Sequence, residues 1–346
     1  VTGTGARVAA AAGVTVLAWA SAFVAIRAIG PEFGAGALAL GRLVVGGVAL
    51  TVALLVSRSW VRPTPREWLL LAVCGLSWFT IYNVALNAAE ERLDAGTAAM
   101  LVNIGPLLIA LSAGVVLREG FPRPLLAGAV IGFSGAVLIG FSTSGPGTAD
   151  GLTGALLCVL AAVTWTIGVL AQKPVLRRLP ALQVTQIACL VGAAGALPWS
   201  GDLVTALGTA SGPALAGLVY LGLVPTALAF GTWAYALSRT DAGRLGVTTY
   251  LVPTLVVLMA WPVLGELPPP LALLGGLLAL AGVALSRYRG RRPVTAGPES
   301  REAPGAQDST GPVAEVPMAE VPVERDPDTQ AGAERSGAQP GPGGQR

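Results

Sequence analysis

Apolar runs of about twenty residues, separated by short polar or charged clusters, follow one another from position 8 to position 287. At 1.5 Å per residue, a helix of about that length crosses a hydrocarbon layer of about 30 Å. Reading the clusters as turns predicts ten helices, near residues 8–30, 35–56, 67–88, 94–117, 121–142, 151–172, 180–199, 212–237, 241–265 and 268–287. The first run exceeds the 7–15 apolar residues of a signal peptide and continues through Trp19 to Arg27, so it reads as a retained helix. Beyond Arg292 the pattern gives way to Pro, Gly, Ala, Glu and Gln, and residues 289–346 are expected to be a disordered tail. The predicted fold class is an all-α polytopic membrane protein.

The pattern also repeats. "DAGTAAMLVNIGP" at 94–106 is answered by "DAGRLGVTTYLVP" at 241–253, an offset of 147 residues. In that register Arg92 meets Arg239, Pro106 meets Pro253, Glu119 meets Glu266, Pro122 meets Pro269, Gly128 meets Gly275 and Gly135 meets Gly282. One residue away from it, Trp19 meets Trp165 and Arg27 meets Lys173. Two five-helix repeats follow, residues 1–147 and 148–288. Because five is odd, the second enters the membrane from the opposite side. Such an inverted repeat allows one half to rock against the other around a site near the midplane. Pro106 and Pro253 fall about 18 Å into their helices, where each removes a backbone hydrogen bond and frees a carbonyl. Two roles stay open for them: a kink needed for packing, or one that shapes a cavity.

Charge supports this topology. Only 12% of residues are charged, against about 25% in a soluble domain, and the mean hydropathy is +0.68. Fifteen basic residues, among them Arg7, Arg58, Arg62, Arg66, Lys173 and Arg178, lie at one set of helix ends, while the alternate loops hold Arg92 alone. The positive-inside rule then puts both termini in the cytoplasm, across an inner membrane. Histidine is absent, and Cys74, Cys158 and Cys189 lie singly inside apolar runs. No nucleotide, zinc or serine-hydrolase motif occurs, so no metal, cofactor, nucleic-acid partner or catalytic centre is expected.

Two five-helix halves, "LAWASAFVAIRA" in the first helix, Arg42 early in the second, and small residues, a mid-helix Pro and a terminal Glu in the fourth and ninth together resemble the EamA family of the drug/metabolite transporter superfamily. The resemblance spans about residues 8–288. It implies a ten-helix transporter with cytoplasmic termini and a central cavity, often an exporter of amino acids or other small metabolites. The seventh helix departs from it, having Gln183 and Gln186 where a partner to Arg42 would stand.

Arg42 is the charge set clearly inside a span, where it should face protein or water and could receive a carboxylate or phosphate. Snorkelling or a link to helix-end carbonyls is the other reading. The acidic residues outside the tail, Glu90 and Glu266 among them, are placed in loops or at helix ends, so no buried carboxylate is expected to carry a proton. Trp19, Asn83, Asn103, Trp165 and Tyr250 complete the candidate substrate-binding set, with helix-to-helix hydrogen bonding or packing as their alternative. Glycines in "GAVIGFSGAVLIG" and "GGLLALAGVALS" permit close helix approach, either within one monomer or in a homodimer. The expected function is secondary export of a small metabolite by alternating access, with membrane lipid around it. A membrane scaffold or a membrane-embedded lipid enzyme are the alternatives.

Overall fold

Long uninterrupted apolar helices occur where the pattern predicts them, and breaks occur where proline or glycine interrupts it. The computed structural model describes residues 3–116, 123–143, 149–240 and 242–286. The expected tail, and with it Glu119, Pro122 and Asp241 of the repeat, lies outside the described residues. All described elements are helices. Five stretches are long and apolar enough to cross a membrane: Gly5–Phe33, Ala35–Ser57, Pro65–Glu90, Asp150–Val175 and Gly212–Arg239. Ala181–Gly195 and Leu197–Thr209, bent by 54°, make a sixth if taken as one. Shorter apolar helices, Ala95–Ile109, Leu126–Ile139, Leu251–Leu264 and Pro270–Gly282, occupy the other predicted positions. Their outward side chains, such as Val56, Leu126, Val204 and Leu277, are exposed and apolar, as lipid contact requires.

In chain order α1 is Gly3–Phe33 and α2 is Ala35–Ser57, joined through Gly34 at φ 73°, a backbone conformation that suits glycine. α3 (Pro65–Cys74) runs through a π-helical stretch, Gly75–Ile81, into α4 (Tyr82–Glu90). α5 (Ala95–Val102) breaks at Asn103 before α6 (Gly105–Val116), and α7 is Arg123–Thr143. The order then repeats. α8 is Ala149–Val175 and α9 is Ala181–Gly195. α11 (Gly212–Leu221) runs through a second π-helical stretch, Gly222–Leu228, into α12 (Ala229–Arg239). α13 (Ala242–Thr248) breaks before α14 (Leu251–Leu264), and α15 is Pro270–Ser286. Both π stretches begin and end 147 residues apart, the offset found in the sequence. One element has no counterpart: α10, Ser200–Thr209, follows a 3₁₀ turn at Leu197–Trp199. The predicted seventh helix therefore bends near its end, where Pro198 cannot continue the α-helical ladder.

The halves interlock. A side chain on Gly75 would strike Val191 and the Ala188 carbonyl of α9, and one on Gly222 would strike Val45 and the Arg42 carbonyl of α2. Since Val45 and Val191 are themselves 146 residues apart, each half sets its third helix against the second helix of the other. α1 likewise packs on α12 and α14, while α8 packs on α4 and α5. Helices α7 and α15 meet at their glycines: a Cβ on Gly135 would strike Gly275 and Ala279, and one on Gly282 would strike Gly128 and Gly132. These small-residue faces are used within one chain.

Candidate functional site

The first π stretch and the two helix breaks contribute residues to one cavity. It spans about 540 Å³, its open mouth included. One wall is aromatic, made of Trp19 (α1), Trp78 (first π stretch), Trp165 (α8) and Phe230 (α12). The Trp19 ring centre lies 6.0 Å from Trp78, 6.3 Å from Trp165 and 5.5 Å from Phe230, in edge-to-face arrangements that aromatic quadrupoles favour. Trp233 closes the cluster behind, 5.0 Å from Trp19. The Trp19 and Trp165 indole N–H groups are buried without an acceptor among the described residues, so the wall holds two unused donors.

Arg42 supplies the charge. It is 3% exposed, which rules out snorkelling, and its Nε donates to Thr226 Oγ1 at 3.0 Å. Pro225 has no N–H to give the Leu221 carbonyl one turn before it, and Thr226 Oγ1 fills that acceptor at 2.8 Å. The π stretch thereby orients the hydroxyl that orients Arg42. No acceptor among the described residues engages the guanidinium Nη groups, and Arg42 lines the cavity beside Tyr82 and Leu86.

Val102, Asn103, Thr249 and Val252 line the opposite side. Both breaks precede their proline by a few residues because the ring excludes the carbonyl four positions back. For Pro253 that carbonyl belongs to Thr249, and Asn103 Nδ2 donates to it at 3.0 Å across the two halves. Pro106 and Pro253 thus shape the cavity without lining it.

Of the expected substrate residues, Trp19, Arg42, Asn103 and Trp165 come together here. Asn83 does not: its Nδ2 donates to the Phe79 carbonyl at 2.7 Å, stitching the π stretch. Tyr250 packs instead against the Leu107 and Ala129 pair. Trp78, Phe230 and Thr249 take their places. Gln183, in the helix expected to match that of Arg42, clamps Val61 by both amide groups, at 2.9 and 2.7 Å.

The expectation about acids fails at Glu90. It ends α4, yet it is 1% exposed, and neither carboxyl oxygen has a hydrogen-bond partner among the described residues. Helices α8, α2 and α1 pack on α4, and helix boundaries alone do not foretell that burial. Nearby, Arg27 Nε pairs with Glu266 Oε1 at 2.8 Å while its Nη1 donates to the Glu90 carbonyl at 2.6 Å. At the other end Lys173, the repeat counterpart of Arg27, donates to the Leu237 and Thr240 carbonyls; Leu237 is the counterpart of Glu90. Glu67, in the capping box of α3, is bound by Arg178, and this bond holds the Arg178 guanidinium above its ordinary range.

Membrane-length apolar helices, two interlocked copies of one unit, and a central cavity with one cation among indoles define a polytopic membrane transporter. The model of the EamA-like transporter family matches residues 7–141 and 152–288, one copy for each half. The chain belongs to that family. It is similar to a probable terminal-alkyne amino-acid exporter of Streptantibioticus cattleyicolor, 39% identical over 83% of this chain and 96% of that one. A probable amino-acid metabolite efflux pump of Salmonella typhimurium is 26% identical over 58% of this chain and 70% of its own length. The uncharacterized transporter YdfC of Bacillus subtilis is 29% identical over 78% and 87%. A crystal structure with TM-score 0.57 and 21% identity, covering 82% of this chain and 97% of that one, shares the fold. These relatives are transporters and exporters, and this protein is a transporter, not an enzyme.

Proposed function

We propose that this protein exports a small amphipathic amino acid across the cytoplasmic membrane by alternating access between its two repeats. Ten spans in inverted five-helix halves, divided near residue 147, with cytoplasmic termini follow from the basic-residue asymmetry. The observation that carries the substrate class is the Arg42 guanidinium, its Nη groups free of acceptors among the described residues, in a cavity with an aromatic wall. A substrate carboxylate docks on Arg42 as a charge-assisted fork. A compact apolar or unsaturated side chain lies against Trp19, Trp78 and Phe230, and the Trp19 and Trp165 N–H groups take remaining acceptors. The exporter relative named for terminal-alkyne amino acids supports this reading, since an alkyne is short, apolar and rich in π electrons.

The Arg27–Glu266 pair holds the outer end closed, Lys173 ties α8 to α12 at the inner end, and the proline breaks let α5–α6 and α13–α14 flex between states. The test is efflux of L-propargylglycine from preloaded cells that carry the intact chain or Arg42→Gln. Faster efflux with the intact chain alone supports the reading; equal efflux from both, or no gain over empty cells, contradicts it.

A further inference from the structure

We propose that Glu90 is the proton-binding site that couples this transporter to the pH gradient, ionised when the outer end is open, protonated as that end closes, and emptied to the cytoplasm when the inner end opens. The proposal rests on the transport reading above and adds its driving ion.

Tyr82 and Leu86 both line the cavity, and Glu90 continues the same face of α4 one turn further. Its carboxyl therefore stands between the cavity and the outer end. It is 1% exposed with two unpartnered oxygens, a setting in which a carboxylate is far more costly than the neutral acid. The cation that could pair with it is engaged elsewhere: Arg27 gives its Nε to Glu266 and Nη1 to the backbone of Glu90 rather than to its side chain. The charged and titratable groups acting around the site are Arg27 on α1, Arg42 on α2, Asp94 before α5, Cys158 on α8, and Glu266 after α14, with Tyr82 on its own helix. A metal cation needs several more oxygen ligands than this, and two arginines repel it. A proton needs only the carboxylate.

Opening the outer end draws Glu266 away from Arg27. The guanidinium, already hydrogen-bonded to the Glu90 main chain, then pairs with the Glu90 carboxylate. On closure Arg27 returns to Glu266 and Glu90 takes one proton from the outer water. With the inner end open, that proton leaves through the cavity to the cytoplasm. The step is a proton transfer alone, and each cycle brings one proton in as substrate goes out.

The test uses full-length protein in liposomes with L-propargylglycine as probe, together with infrared spectra of the same protein. Expected are accumulation driven by a pH gradient, loss of that accumulation by at least about fivefold in Glu90→Gln, and a protonated-carboxyl band at about neutral pH that Glu90→Gln removes. Exchange of the probe without any response to the pH gradient overturns the coupling and leaves the transport reading standing. Absence of exchange in the intact protein overturns the transport reading, and the infrared band still decides whether Glu90 holds a proton. If Glu90→Gln does not fold, Glu90→Asp serves: the proposal requires the band to shift, and an unmoved band overturns it.

Discussion

At the residue scale, the site depends on polar groups whose partners come from the opposite half. Arg42 is held by Thr226, and the Thr249 carbonyl by Asn103. Arg42→Lys keeps the charge and loses the planar fork, so uptake affinity should fall roughly 10- to 100-fold, the loss of a charge-assisted bond of about 1.5–3 kcal/mol; a concentration series of transport rates reads it. Asn103→Ala should cost about 1 kcal/mol, since the Thr249 carbonyl keeps the Val252 N–H at 3.0 Å. A thermal midpoint in detergent would show that as a small fall, and no change would mean the cross-half bond contributes nothing. Arg42, Trp19 and Trp165 were legible in the chain because a charge inside a span and two tryptophans related by a repeat each stand out. Asn83 and Tyr250 were misplaced because sequence spacing does not tell which side of a helix a polar group turns to. Phe230 carried no signal, being one apolar residue among many, and Glu90 read as a helix-end acid because its burial comes from helices distant in sequence.

At the element scale, irregular helix is placed where the cavity needs it. The π stretches share the offset of 147 although only the second contains a proline, Pro225. The first is stitched by Asn83 and Ser77 instead, the latter donating to the Val73 carbonyl at 2.6 Å. π bulges commonly mark functional positions, and here they carry Trp78 and Thr226. The breaks were readable from Pro106 and Pro253; the π stretches were not, because no residue pattern separates them from α-helix. The bend before α10 was likewise missed, although Pro198 signals it. For α7 and α15 the prediction is overpacking: Gly135→Val drives a side chain into the Gly275 carbonyl and should cost about 1–3 kcal/mol. Lower thermal stability at unchanged oligomeric size is expected. A shift from dimer to monomer at unchanged stability would assign that face to a second copy.

At the scale of the whole molecule, the swap of elements between halves explains why one duplicated unit can make an enclosed site. Neither half has a complete wall: Arg42, Trp78 and Asn103 come from the first, Trp165, Phe230 and Thr249 from the second. The repeat was open to view in the sequence, whereas the interlock arises only when Gly75 and Gly222 meet their neighbours. If the Arg27–Glu266 pair closes the outer end, a disulfide between Arg27→Cys and Glu266→Cys should arrest transport and reduction should restore it; transport that continues when the link is complete would place the gate elsewhere. The central claim, a transporter whose Arg42 receives the carboxylate of an amphipathic amino acid, is tested most directly by exchange of labelled L-propargylglycine in proteoliposomes carrying the intact chain or Arg42→Gln at equal protein content. Rapid exchange by the intact chain, reduced roughly 10- to 100-fold in the variant, is the predicted result. Equal exchange by both proteins, or none by either, would contradict it.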